Sequence, residues 1–180
     1  MADAGSAPVF RVARSIDVPL IVTLVDSAYR GDASRVGWTT EADLLGGQRT
    51  DAHAVDELIA KPQSTVLLAV AGDDLVGCCH LEGHGTEAEY LGMFAVQPDR
   101  QGHGLGGTIL AEAARRSRVD WGRGRLRMTV IAQRLDLIAW YERVGFRATG
   151  ETEPFPYGEV RFGIPKRPDL EFVVLEKPLG

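Results

Sequence analysis

Four glycines fall within six residues at Gly102, Gly104, Gly106 and Gly107. They lie between an apolar run that closes at Phe94-Ala95-Val96 before Pro98 and a helical pattern carrying Ile109, Leu110 and Ala113–Ala114. Residues without a Cβ let main-chain N–H groups come close to an oxyanion, and the positive end of a helix dipole draws the same ligand. The chemistry written into Gln101-Gly102-His103-Gly104-Leu105-Gly106-Gly107 is therefore phosphate binding. Further on, Leu137, Tyr141 and Val144 recur at i, i+4 and i+7 ahead of Gly145-Phe146, which puts a phenol on one face of a helix that glycine ends.

Two known motifs fit the glycines. Gly102-x-Gly104-x-x-Gly107 has the letters of the dinucleotide fingerprint, with Asp120 standing where a ribose-binding acid is sought. The context excludes it. The first glycine of that fingerprint belongs in the tight turn right after the strand, yet five residues separate Val96 from Gly102. Asp120 ends a helix instead of a second strand, and too little chain follows for a second mononucleotide half. The other spelling, Gln/Arg-x-x-Gly-x-Gly/Ala, is met by Gln101, Gly104 and Gly106 after Phe94-Ala-Val-x-Pro98. It resembles the acyl-CoA-binding motif of the GNAT N-acyltransferase superfamily. Leu137-Ile-Ala-Trp-Tyr141-Glu-Arg-Val-Gly145-Phe146 is similar to the Ala-x-x-x-Tyr-x-x-x-Gly-Phe segment of the same family, in the same order along the chain.

The resemblance implies an α+β fold: a central mixed, mostly antiparallel sheet of six to seven strands, flanked by helices and splayed between the fourth and fifth strands. It implies an acetyl-CoA-dependent N-acetyltransferase acting on a primary amine of a small molecule or peptide through a ternary complex. The alternative is a non-catalytic acyl-CoA-binding sensor or partner module of the same fold. Acetyl-CoA is the implied co-substrate. Backbone groups of Phe94, Ala95 and Val96 would hold its pantetheine arm, and the N–H groups of Gly102 to Gly107 its diphosphate, with Arg100 and Gln101 nearby. Many relatives carry asparagine where this chain has Arg134, a residue able to reach a CoA phosphate instead. Tyr141 would act as general acid toward the departing thiolate. For the general base the candidates are Glu89 and Tyr90 on the strand before the loop, His80, Glu82 and His84 on and after the strand preceding it, or a water chain. A bulge near Gly92 would exchange the faces of that strand. Trp38, Glu41 and Asp43, with Glu82, are the expected acceptor-site wall, and these acids together with Glu159 favour a cationic amine. Arg161, Lys166 and Arg167 in the late loop would recruit a carboxylate.

The elements that must position these residues are legible in order. Val9–Arg14 reads as a strand, and Ser15 or Asp17 caps a helix to about Tyr29. Thr39 or Thr40 caps a short helix through Leu45 that Gly46-Gly47 ends, and Asp51–Lys61 is another before Pro62. Thr65–Ala71 and Leu75–Leu81 form a hairpin about Gly72-Asp73-Asp74, and a strand through Leu91–Val96 leads to the glycine loop. A helix over 104–119, a strand at Leu126–Ile131, the Tyr141 helix and strands at Arg147–Glu151 and Glu171–Leu175 follow. The meander before the loop and the single strand–helix–strand crossover after it exclude a doubly wound sheet.

Length and composition bound the rest. The 180 residues suit one domain, with residues 1–8 small, polar and expected to be mobile. A net charge of −5 argues against nucleic acid or an anionic membrane as partner. No apolar run approaches the roughly 20 residues of a membrane helix, and the N-terminus lacks a secretory pattern. The expected location is cytoplasmic. Adjacent Cys78 and Cys79 point to opposite faces of a strand and make a poor disulfide pair. No metal site is expected, and the last strand could pair across a homodimer.

Overall fold

The period of two along residues 64–84 divides the core. In the computed structural model, which describes residues 7–180, Cys78 packs with Val66, Leu68, Ile21 and Val25, whereas Cys79 packs with Leu67, Ala69, Ile109 and Leu110. Helices α1 (Val18–Tyr29) and α2 (Ala52–Ala60) cover the first of these sheet faces; α3 (Leu105–Val119) and α4 (Leu135–Arg143) cover the second. Each helix shows the reason for its placement. On α1 the residues Ile21, Leu24, Val25 and Ala28 form one apolar stripe, buried against the sheet. The two thiols are buried and free, and burial pushes both pKa values up.

Between the helix layers lies a seven-stranded sheet. Its strands are β1 (Val9–Val12), β2 (Ser64–Ala71), β3 (Asp74–His84), β4 (Ala88–Val96), β5 (Arg125–Ile131), β6 (Arg147–Pro154) and β7 (Glu171–Pro178), in the order β1-β2-β3-β4-β5-β7-β6. All neighbours are antiparallel except β4 and β5, which the α3 crossover makes parallel. That parallel ladder runs only from Ala88↔Arg125 to Tyr90↔Arg127. Beyond it the strands part, although β4 continues to Val96 and β5 to Ile131. The splay expected between the fourth and fifth strands is present.

A bulge shapes the open half of β4. Cys78 pairs with Ala95 and His80 with Gly92, so Cys79 alone opposes Met93 and Phe94. The extra residue takes a left-handed conformation at Met93, with φ +42°. Glu89 and Leu91 share the α3/α4 side with Phe94 and Val96, because the inserted residue resets the alternation.

Three expectations need correction. No helix spans 39–45: Glu41 donates its N–H to the Tyr29 carbonyl and pairs its carboxylate with Arg30, which holds the chain against the end of α1. Leu45–Gly46 then makes a two-residue bridge with Ile164–Pro165. Tertiary partners override the capping pattern there. Next, β3 runs on past Leu81 to His84, since Arg123 closes the connection to β4 with hydrogen bonds to the Gly85 and Thr86 carbonyls. Finally, β6 and β7 each extend beyond the expected ends. Residues 1–6 of the segment expected to be mobile lie outside the described residues. Among the described residues no helix is long and apolar enough to cross a membrane.

Candidate active site

The glycine loop has the geometry of an anion cradle. Gly102 and Gly104 adopt φ +82° and +86°, left-handed values that cost a side-chain-bearing residue about 1–2 kcal/mol. Gly104 is the N-terminal cap of the 15-residue helix α3. The first main-chain N–H of the helix with an acceptor is that of Thr108, bonded to the Gly104 carbonyl at 3.1 Å. Among the described residues none accepts from the N–H groups of 102–107. A Cβ added at Gly102, Gly104 or Gly107 would meet nothing within 4 Å, and all three residues line an open cleft. At Gly106 the added carbon would instead lie 3.3 Å from the Trp140 ring.

Two clefts reach the splay. The first, about 660 Å³, runs from Gly102, Gly104, Gly106 and Gly107 past Trp140 and Arg143 to Phe94. The second, about 400 Å³, is walled by β4 from Tyr90 to Phe94, by β5 from Met128 to Ile131, and by Glu41, Arg49 and Glu153. They share Tyr29, Phe94 and Leu137, and Tyr141 lines the second where they meet. Trp140 stacks on Phe94, with ring centroids 6.0 Å apart and planes 16° off parallel, and Trp38 lies 6.0 Å from Trp140. Tyr141 packs edge-on against Trp140 and Phe146 and is 2% exposed. Burial raises its pKa well above the ordinary phenol value, with Tyr29 a lesser contributor. Its hydroxyl has no hydrogen-bond partner among the described residues. It is a protonated donor beside the junction of the two clefts.

Residues 38–39 form a strap over this junction. Gln101 Oε1 accepts from the Trp38 N–H at 2.8 Å and the Thr39 N–H at 3.2 Å, while its Nε2 donates to Thr39 Oγ1 and to the Val96 carbonyl. Arg134, buried at the start of α4, donates to the Thr39 carbonyl at 3.0 Å and pairs with Asp136 at 3.3 Å. Gln101 and Arg134 therefore position the strap, instead of standing free for a phosphate. Trp38 lines the first cleft, not the second. From the other sheet face the Tyr29 hydroxyl donates to the Phe94 carbonyl. Two carbonyls expected to be open, those of Phe94 and Val96, are thus already bonded. Ala95 is buried on the α1 face, Leu105 packs on the core, and His103 is exposed outside both clefts.

The expected acids scatter. Glu89 is fully buried, bonded at 3.0 Å to Arg123 Nε, and lines neither cleft. Burial pushes its pKa up to about 7, against the opposing pull of Arg123. Its other oxygen, Oε1, has no hydrogen-bond partner among the described residues. A carboxylate with the titration range of a base is thus held at the closed end of the β4–β5 pair. Asp43 is exposed and pairs with Arg35 at 2.7 Å, and Glu82 pairs with Lys61. Glu41 does reach the second cleft, paired with Arg30. His80 bonds Ser64 Oγ at 2.8 Å, and burial lowers its pKa to about 4. Among the described residues no group of histidine, cysteine and acidic side chains could hold a metal ion.

Tyr29, Arg49 and Trp140 line the clefts without having been singled out in the sequence. Tyr29 had a signal, a phenol at the end of an apolar helical stripe; Arg49 had none.

Residues 62–148 match the family model described as an acetyltransferase (GNAT) domain. No curated protein matches the sequence. Among solved structures, a protein of Desulfovibrio desulfuricans assigned to the GNAT family is 21% identical, with TM-score 0.71 over 97% of this chain and 100% of that one. A GNAT family acetyltransferase from Elizabethkingia anophelis, solved with acetyl-CoA bound, is 18% identical, with TM-score 0.57 over 70% and 82%. The ribosomal-protein-S18-alanine N-acetyltransferase of Escherichia coli is 14% identical, with TM-score 0.69 over 96% and 94%. At these identities the structural likeness is one of fold.

Proposed function

We propose that this chain is an acetyltransferase of the GNAT superfamily, a reading supported by its family-model match over residues 62–148, and that it moves an acetyl group from acetyl-CoA to a primary amine of a small molecule or peptide by direct attack. One observation carries this: two clefts enter the splayed sheet and share Tyr29, Phe94 and Leu137 beside the Tyr141 phenol. A donor and an acceptor can meet there without either crossing the core.

Acetyl-CoA, when bound, supplies a thioester carbon open to attack by an amine. The chain supplies the rest. Free N–H groups at 102–107 suit a diphosphate, and Arg143, which has no ion-pair partner among the described residues, adds a cation to the same cleft. The stacked Phe94–Trp140 wall suits the pantetheine arm, as does the side of β4 left without a ladder partner after Tyr90. As nitrogen bonds to the acyl carbon and the carbon–sulfur bond breaks, the Tyr141 hydroxyl gives its proton to the sulfur, and the proton shed by the acylated nitrogen restores the phenol. The ammonium proton leaves on the side of the second cleft, where Tyr90 and the Glu153 carboxylate stand outside any ion pair among the described residues. Glu89 has a base's pKa and the wrong address, and geometry takes precedence.

The test is a panel of amines with acetyl-CoA, read as free thiol released, alongside calorimetric binding of the coenzyme. Amine-dependent release is expected. Binding without amine-dependent release would make the protein a non-catalytic acyl-CoA-binding module, and absence of binding would overturn the reading. Gly104→Ala is expected to weaken acetyl-CoA binding about tenfold, the equivalent of about 1.4 kcal/mol, through strain at φ +86° and a methyl group in front of the cradle. Unchanged affinity in the calorimeter would remove the loop from the site.

A further inference from the structure

Of the charged side chains lining the second cleft, two have no ion-pair partner among the described residues. Glu41 is held by Arg30, Asp43 by Arg35 and Glu82 by Lys61. The late-loop cations are engaged as well: Arg161 holds Asp51, Arg167 holds Asp169, and the Lys166 ammonium donates to the Ala42 carbonyl. Arg49 differs. Its main-chain N–H donates to Asp26 Oδ1 at 2.7 Å, which pins the loop to α1. Its guanidinium lies 5.8 Å from the centroid of the Tyr29 ring. No carboxylate among the described residues pairs with it. It lines both the second cleft and an adjoining groove of about 660 Å³ that shares Tyr90, Gly92 and Met93 with that cleft. Glu153, on another wall of the second cleft, is the other charge without an ion-pair partner.

We infer, resting on the acetyltransferase reading above, that the acceptor is an amine that also carries an oxyanion, carboxylate or phosphate, and that the Arg49 guanidinium holds that oxyanion. The planar fork of a guanidinium takes two oxygens of either group at once, and an aromatic ring beneath it holds its plane. The same ring has its hydroxyl on the Phe94 carbonyl at the junction of the clefts. One tyrosine side chain therefore spans the gap from oxyanion to reacting nitrogen, a separation that suits an amino acid or a phosphorylated amino alcohol. Glu153 attracts the ammonium as it enters. A polyamine fits less well, because it brings a further cation against Arg49.

Matched acceptors test this with acetyl-CoA: free amino acids against their amides, O-phosphoethanolamine against ethanolamine, and spermidine. The oxyanionic member of one pair is expected to exceed its neutral counterpart in kcat/KM by about 10–100-fold; the pair that shows the gap names carboxylate or phosphate. Arg49→Met is expected to collapse that ratio through KM for the oxyanionic acceptor, and Arg49→Lys to restore part of it. Retained acetyl-CoA affinity in calorimetry shows that the variants are folded. Equal rates within both pairs, spermidine as the best acceptor, or an unchanged ratio in Arg49→Met would overturn the inference while leaving the acetyltransferase intact. Failure of every amine would instead strike the reading beneath it.

Discussion

Tyr141→Phe is expected to lower kcat by about 10²–10³-fold, the share ordinarily carried by a positioned proton donor. The change removes one oxygen. The ring keeps its edge-on contacts with Trp140 and Phe146, and no hydrogen-bond partner is orphaned among the described residues. Thermal stability and acetyl-CoA affinity should therefore stay level while turnover falls. Rapid-quench measurement of the acyl-transfer step separates this from slowed product release. Full turnover in the variant would remove the phenol from the chemistry.

Arg123→Leu is expected to have the largest effect on stability, a loss of about 3–5 kcal/mol at pH 8 from leaving a buried carboxylate without its counter-ion. Arg123 Nε meets Glu89 Oε2 at 3.0 Å, and its Nη1 ties down the Gly85 and Thr86 carbonyls. The pH dependence identifies the cause. Burial raises the Glu89 pKa from 4.5 to about 7, so between those values the folded chain keeps a proton that the unfolded chain has released. The resulting stabilisation is complete below pH 4.5 and is lost as pH rises to about 7. Without the guanidinium the pKa climbs further, so the decline continues to higher pH. Urea melts at pH 5 and pH 8 should show the Leu variant closer to wild type at the lower pH. Glu89→Gln added to Arg123→Leu should recover part of the loss at pH 8. Equal losses at both pH values would assign the effect to the lost carbonyl contacts alone.

How much of this was legible depended on how far each contact reaches along the chain. The glycine cradle and the Tyr141 helix depend on neighbours a few residues away, so spacing alone revealed them. Gln101 and Arg134 lie in or next to recognisable motifs, but their partners at Trp38 and Thr39 are 62 to 96 residues distant, and a motif says nothing about a strap arriving from elsewhere. The acids failed for the same reason. Glu41, Asp43 and Glu82 read as free charges because Arg30, Arg35 and Lys61 could not be matched to them before the fold brought them together. Glu89 shows the complementary limit: its titration depends on burial, while its usefulness depends on which end of β4 it occupies. The sheet was more readable, since alternation through Cys78–Cys79 fixes two faces whatever lies above them.

The bulge at Met93 has a consequence for which sequences this strand can accept. One surplus residue lets Leu91 ahead of it and Phe94 behind it face the same layer, although an uninterrupted strand would set them on opposite sides. Only Met93 lies between Gly92 and Phe94; its φ of +42°, and the 2.7 Å that a Cβ at Gly92 would leave to the Tyr90 ring, restrict which side chains these positions accept. Loss of Met93 would leave Phe94 two positions after Leu91, still facing the layer of α3 and α4, with Cys79 opposed by one residue instead of two. The stretch is strict about spelling and tolerant of the loss of its surplus residue.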